Sequence, residues 1–288
     1  MTGDDVTHAA DPPMPLGSTG SVLSALDADG VLMLTLNRPE RANAWTVEME
    51  RVLHGFLFWA AATVEVRVVV LTGAGRTFCP GFDSADLKES AAGGRSIGED
   101  RTRLTLPAAI PKPIVCAING ACAGVGLATA LACDVRFAAE DARITTAFSK
   151  RGLPAEEGLS WSLPRTIGHA AALELLLSSR VVTGAEAAAI GMVHRALPVG
   201  DLLAAATSYA GEMARTCSPL AMATIKQQLY DDWTRGLTES RNQARLLMHA
   251  LRTREDFSEG VASLIEKRPG RFAGYAEVLD PGAFPIEP

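Results

Sequence analysis

No two cysteines of this chain stand two residues apart, and none combines with histidines at metal-ligand spacing, so no structural or catalytic metal is expected. The five cysteines, Cys79, Cys116, Cys122, Cys133 and Cys217, are an odd number without a disulfide framework, which fits a reducing cytoplasm. Four of them lie among apolar or glycine neighbours and read as buried free thiols. Long apolar runs are missing too: each is broken by charge or glycine well short of a membrane span. Positive charge is in deficit, with 27 Lys and Arg against 33 Asp and Glu and a net charge of −6, which argues against a nucleic-acid surface or broad adsorption to anionic lipid. There is no GxSxG elbow, and the histidines at 8, 54, 169, 194 and 249 sit in no serine- or cysteine-centred motif, which removes the ordinary α/β-hydrolase reading. The first twenty residues have neither a basic start nor an apolar run, so residues 1–20 read as a flexible leader and no secretory signal is expected.

What is present describes a globular protein. The 288 residues are 48% apolar and 21% charged, enough for one large α/β core or for a core with a helical appendage. Residues 31–36 form a short β-rich run, and a helix is expected over 46–59. The clearest strand covers residues 67–71, where Val68, Val69 and Val70 suit a strand buried on both faces of a parallel sheet. A helix is expected over 99–109, strands over 114–118 and 134–138, and a helix over 124–132. Strand–loop–helix units of this length imply crossover connections and an α/β fold. After Gly158 the pattern turns helical, with segments at 160–167, 170–177, 185–190, 202–215, 220–230, 239–252 and 257–266. The expected organisation is a leader over 1–20, an α/β core over 21–198 and a helical region over 199–288.

Three loops could make a site. The first, Gly75 to Asp83, leaves the valine strand at its carboxyl end, where ligands bind in open α/β folds. It is either a loop aiming a backbone N–H inward or a strand-exit turn with a hydrophobic plug. The second, Asn119 to Gly126, opens a helix whose first-turn N–H groups suit an oxyanion. It could equally serve close helix–sheet packing; its glycines match neither a dinucleotide fingerprint nor a P-loop. The third, Arg151 to Gly158, carries Glu156 and Glu157 before a helix, as proton-transfer groups or as acidic residues at a helix start.

Taken in order, these segments resemble the crotonase (enoyl-CoA hydratase/isomerase) superfamily. The resemblance rests on Asn37-Arg38-Pro39 with Asn43-Ala44, the stretch from Thr72-Gly73 to Asp83, and Pro111-Lys112-Pro113 through Asn119-Gly120. It continues in Ala132-Cys133-Asp134, Gly152, Leu163-Pro164-Arg165 and Thr183-Gly184-Ala185-Glu186-Ala187, and spans about residues 21–272. It implies a ClpP/crotonase fold of repeated ββα units with a C-terminal helical trimerisation region, hence a homotrimer or dimer of trimers. It implies an acyl-CoA thioester as substrate, with coenzyme A arriving as part of it and no permanently bound cofactor. The oxyanion donors carried over are the N–H groups of Phe82, between Gly81 and Asp83, and of Val125, after Gly124.

The carboxylates depart from the hydratase pattern. A typical hydratase has one glutamate on the helix after the glycine trio and another four residues before the glycine matched by Gly152. Those positions hold Ala128 and Phe148, which exchange no protons. Glu156 instead matches relatives such as the 4-chlorobenzoyl-CoA dehalogenase, whose acid lies four residues after that glycine, and Phe148 becomes an aromatic wall. For coenzyme A the resemblance points to Arg38, Arg41, Lys267, Arg268 and Phe272. An acyl-CoA enzyme using Glu156 as general acid/base, and a catalytically silent acyl-CoA binder, both remain open at this stage.

Overall fold

The computed structural model describes residues 20–93 and 104–277, so the expected leader, Gly20 apart, and the start of the helix expected over 99–109 lie outside the described residues. Strands β1 (Val22–Leu26) and β2 (Val31–Leu36) lead to helix α1 (Val47–Ala62). Three units of two strands and a helix follow. They are β3 (Val68–Gly73), β4 (Thr77–Cys79) and α2 (Ser84–Ala91); β5 (Ile114–Ile118), β6 (Ala121–Ala123) and α4 (Val125–Ala132), preceded by the short α3 (Leu106–Ala109); and β7 (Val135–Ala139), β8 (Arg143–Thr145) and α5 (Leu159–Ile167). Beyond them come α6 (His169–Ser178), β9 (Val182–Thr183), α7 (Gly184–Ala189) and β10 (Arg195–Leu197). The chain then turns helical in α8 (Val199–Thr216), α9 (Pro219–Asp231), α10 (Leu237–Leu251) and α11 (Glu255–Glu266).

The first strand of each unit joins one sheet and the second joins another. The larger sheet runs β1-β2-β3-β5-β7-β10, parallel throughout except that β1 pairs antiparallel with β2. The smaller sheet runs β4-β6-β8-β9. This is the ββα repeat expected from the sequence. Every residue of β3 and β5 is buried, as central strands of a parallel sheet require. Helix α8 lies across β2, β3, β5 and β7 with Leu202, Ala206, Ala210 and Ala214 buried. Four-residue spacing puts these side chains on one stripe, and three alanines bring the helix close to the sheet.

Helix boundaries follow local chemistry. Thr46 caps α1, its side chain accepting the Met49 N–H, so the helix expected to begin at 46 begins one residue later. Thr183 and Glu186 form a reciprocal capping box on α7. Helix α9 is fixed to the core by Lys226, whose Nζ donates to the carbonyls of Pro107 and Lys112 and to Asp134 Oδ2 at 2.8 Å. Asp134 in turn accepts the Ile114 N–H at 2.7 Å and so caps the start of β5. Burial raises the Asp134 carboxyl above its ordinary pKa, with Lys226 pulling the other way.

The segment after α11 runs back over the core. Arg67 donates to the Phe272 carbonyl, Glu277 N–H to the Ala61 carbonyl, and the buried Lys112 ammonium to the carbonyls of Thr63 and Tyr275. Burial, together with the neighbouring Arg67 charge, lowers Lys112 to about 8. Among the described residues no helix is long and apolar enough to cross a membrane.

Truncating Lys226 strands the Asp134 carboxylate. Lys226→Ala is expected to lower the unfolding free energy by about 3–5 kcal/mol, the range for breaking a buried pair on one side. Urea denaturation followed by circular dichroism measures it, and a loss under about 1 kcal/mol would show that the pair does not anchor α9.

Candidate active site

The first loop is held from both sides by asparagine. The buried Asn43 Nδ2 donates to the carbonyls of Ala74 and Thr77 at 2.9 and 2.7 Å, while its Oδ1 accepts the Arg38 N–H at 2.8 Å. Asn119, at the end of β5, donates from Nδ2 to the carbonyls of Gly73 and Gly75 and accepts the Gly73 N–H at 3.2 Å. In the turn joining β3 to β4 the carbonyls of Gly73, Ala74, Gly75 and Thr77 and the Gly73 N–H thus find side-chain partners, and the Ala74 N–H donates to the Leu36 carbonyl.

Farther along, Trp45 forms an isolated parallel bridge with Phe82. Trp45 N–H donates to the Gly81 carbonyl at 2.8 Å, and Asp83 N–H donates to the Trp45 carbonyl at 3.0 Å. Because successive peptide groups of an extended chain alternate in direction, Phe82 turns its own N–H to the opposite side. Trp45 is buried and held by its indole N–H, which donates to Glu50 Oε2 at 3.0 Å.

The second donor position is built by glycine. Gly124 has φ +53° and precedes α4, leaving Val125 at the first position of the helix with no side-chain cap. The first-turn N–H groups of a helix have no intrahelical partner, so Val125 offers a donor at the positive end of the helix dipole. Gly126 has another purpose: a Cβ there would lie 2.3 Å from the Cys79 carbonyl oxygen, so only glycine lets α4 approach β4 this closely. Of the alternatives left open for this loop, close helix–sheet packing is realised at Gly126.

Phe82, Val125 and Glu156 line one small cavity of about 40 Å³, along with Gly81, Gly124 and Phe148. The catalytic residues named from sequence, and three of those assigned to substrate contact, converge there. Phe148 is buried, and Glu156 is half-buried. Leu87, Leu153 and Arg151 also line this cavity and were not singled out from sequence. Leu87 could not be found that way, since α2 itself was unexpected; Arg151 was quoted only as the start of the third loop.

Other expected contacts lie elsewhere. Arg38 pairs with Asp83 at 3.2 Å and donates to the Ala44 carbonyl, and Asp83 accepts the Ala85 N–H at the start of α2. The two residues brace the first loop, with Arg41 close enough to add to the field at Asp83. Neither arginine lines the small cavity. Lys267 ends α11 in a left-handed conformation, and the Phe272 carbonyl is bound by Arg67 at the start of β3, the end of the strand away from the first loop. This chain does not bring Lys267 or Phe272 to its own cavity. Arg268 is ion-paired with Glu259 and Glu266.

The thiols around the site are inert as nucleophiles. Cys79, Cys116, Cys122 and Cys133 are buried, and burial pushes Cys79 up to about 12. Among the described residues no group of three or more His, Cys, Asp or Glu side chains could hold a metal ion.

The ββα repeats thus bring the Phe82 and Val125 backbone positions and Glu156 to one cavity. The family model for enoyl-CoA hydratase/isomerase matches residues 27–275. A 1,2-epoxyphenylacetyl-CoA isomerase of Escherichia coli is 34% identical over 251 residues, 85% of this chain and 95% of that protein. A 2,3-dehydroadipyl-CoA hydratase of the same organism is 35% identical over 247 residues, again 85% of this chain and 95% of the relative. The crystal structure of an enoyl-CoA hydratase from Polaromonas superposes with a TM-score of 0.82 at 29% identity, covering 88% of this chain and all of the other. The chain belongs to the enoyl-CoA hydratase/isomerase family, within the crotonase superfamily, whose members process acyl-CoA thioesters.

The Asp83 carboxyl is held below the usual carboxylate range, first by the Ala85 N–H it accepts and then by Arg38 and Arg41. A depressed folded-state pKa contributes stability that is present above the unfolded value and lost as pH falls through the folded one. The stability advantage of the parent over Asp83→Asn should therefore be constant above about pH 5 and shrink as pH falls below about 4. Thermal unfolding of both proteins across that range tests it; a gap that does not narrow in acid would remove Asp83 from this role.

Proposed function

We propose that this protein catalyses proton transfer on an acyl-CoA thioester, shifting a double bond along the acyl chain, with Glu156 as the single general acid/base. One observation supports the reading above others: the two backbone donor positions, Phe82 and Val125, and the Glu156 carboxylate line the same cavity. The thioester oxygen accepts hydrogen bonds from the two N–H groups. Glu156 takes a proton from the α-carbon of a β,γ-unsaturated thioester, the electron pair of that C–H bond delocalises onto the thioester oxygen as a dienolate, and the donors stabilise that charge. The protonated Glu156 returns the proton at a different carbon of the conjugated system as the enolate collapses. Atoms and charge balance without water.

The replaced carboxylates favour this over hydration. Adding water across a double bond calls for one group to activate water and another to protonate the α-carbon, and the two positions that serve this in a typical hydratase are Ala128 and Phe148. Both are buried apolar side chains here. One carboxylate that accepts and returns the same proton needs no partner.

Glu156→Gln is expected to retain acyl-CoA affinity and to lower turnover by roughly 10²–10⁴-fold, the usual contribution of a general acid/base. The assay follows double-bond migration in unsaturated acyl-CoAs by chromatography, with deuterium uptake from solvent into saturated and unsaturated acyl-CoAs read by mass spectrometry. Migration or exchange at the parental rate in Glu156→Gln would end the catalytic assignment; tight binding with neither in the parent would make the protein a silent binder.

The helical region supports self-association. Leu237, Leu264 and Ile265 are 86%, 79% and 74% exposed on α10 and α11, and so large a set of bare aliphatic side chains belongs at a protein interface. The expected assembly is a homotrimer or a dimer of trimers. Sedimentation equilibrium should give about three or six times the 30.3 kDa chain mass. Replacing Leu264 and Ile265 with glutamate should dissociate it; a monomer in the parent would refute the assignment.

A further inference from the structure

One wall of the small cavity is thin. Ala147 and Phe148 form it, and Ala147 and Arg151 line the small cavity on one side and an open cavity of about 370 Å³ on the other. At this point the wall has space on both faces, and hydrogen bonds hold it. The cavity behind it is also lined by Ser179, the residue that caps the C-terminus of α6.

Ser179 is the centre of a clasp of hydroxyl groups. Its Oγ lies 3.1 Å from Thr146 Oγ1 and 2.8 Å from Ser149 Oγ, the two residues that flank the Ala147–Phe148 pair. Proton counting fixes the direction of these bonds. Thr146 gives its single hydroxyl proton to the Leu175 carbonyl at 2.9 Å, so Ser179 donates to Thr146 and Ser149 donates to Ser179. Thr145 donates to the Ser179 carbonyl at 3.0 Å and accepts the Ala147 N–H at 3.2 Å. Ser179 and Thr146 are both buried.

The clasp holds a backbone that would not take this shape unaided. Ala147 has φ +65° and Ser179 φ +44°, left-handed conformations that cost free energy for any side chain but glycine. Such conformations persist only where their surroundings over-determine them. The held pair in turn fixes the third loop. The Phe148 carbonyl accepts the N–H groups of Arg151 at 2.8 Å and Leu153 at 3.1 Å, and the Ser149 carbonyl accepts the Gly152 N–H at 3.2 Å. Arg151 Nη1 donates back to the Ala147 carbonyl at 3.2 Å. Glu156 follows Leu153 on the same loop.

We propose that Ser179 is a positioning residue for the reaction. Its hydroxyl sets where the Phe148 ring stands in the small cavity and, through the Phe148 carbonyl, where the third loop presents Glu156. Ser179 does not line the small cavity itself and acts on it only through the segment it clasps. The proposal rests on the reading of Glu156 above.

The test uses Ser179→Gly in the full chain, because glycine takes the left-handed conformation readily and the change removes the hydroxyl without straining the backbone. Two quantities are measured. One is kcat and KM for double-bond migration in an unsaturated acyl-CoA. The other is the fluorine NMR spectrum of protein labelled with 4-fluorophenylalanine, in which the Phe148 resonance is assigned by its absence from Phe148→Leu. Ser179→Gly should lower kcat about tenfold with KM unchanged, the effect of one hydrogen bond. The Phe148 resonance should shift or broaden while the circular dichroism spectrum stays that of the parent. Ser179→Ala, which keeps the β-carbon and lacks the hydroxyl, should lower kcat as well. Parental kcat in either variant, or a Phe148 resonance in Ser179→Gly that coincides with the parent's, would overturn the assignment. A parent that shows neither migration nor deuterium exchange would instead refute the reading of Glu156, and the fluorine spectrum would then decide alone whether Ser179 holds Phe148.

Discussion

The site depends on satisfying the backbone of one tight turn. Residues 73–77 reverse the chain between β3 and β4, from buried Gly73 through exposed Gly75 and Arg76, and a carbonyl left unpaired at the buried end is costly. Asn43 and Asn119 supply the missing partners from opposite sides, one from the segment before α1 and the other from the end of β5. Since a side-chain amide both donates and accepts, each asparagine ties the turn to a second segment. Everything downstream, the Trp45–Phe82 bridge and the direction of the Phe82 peptide included, inherits its position from this clamp. The oxyanion role proposed for the Phe82 N–H is useful only if the donor does not reorganise when charge develops, and backbone tied by the buried Asn43 and half-buried Asn119 suits that condition.

Much of this was legible in the sequence, for identifiable reasons. The valine run of β3 and the apolar run of β5 are long enough to declare buried parallel strands, and each helix from α4 to α11 appeared within a few residues of its position. The short strands β4, β6, β8, β9 and β10 did not appear. Strands of two or three residues show no alternation, and they exist because the first strand of each unit delivers them to a neighbour. Thr77, Phe78 and Cys79 looked like part of a loop because nothing local makes them a strand; β6 does.

The cavity residues were legible for a different reason. Phe82, Val125 and Glu156 are fixed by their distance from glycines and turns, and ordered motifs preserve that distance. Arg38, Lys267 and Phe272 were assigned by charge or aromatic character, which does not say where a side chain ends. The first is consumed by Asp83 and the Ala44 carbonyl, and the last two belong to a C-terminal segment whose course is set by Arg67 and Lys112. A tertiary hydrogen bond made 205 positions away along the chain leaves no local signal.

The two departures from the hydratase pattern stand on different cavities: Phe148 lines the small one and Ala128 a larger one, of about 870 Å³. Neither side chain exchanges protons, so of the lining residues of the small cavity Glu156 is the one carboxylate. The remaining acid, Glu156, stands on the same loop as Glu157, and the left-handed backbone at Glu157 turns the two carboxylates apart. Two adjacent carboxylates on one small cavity would repel and compete for a proton. Separating them leaves Glu156 as the one carboxylate on the small cavity, which is the condition the proposed single-acid chemistry requires, while Glu157 lines the larger cavity.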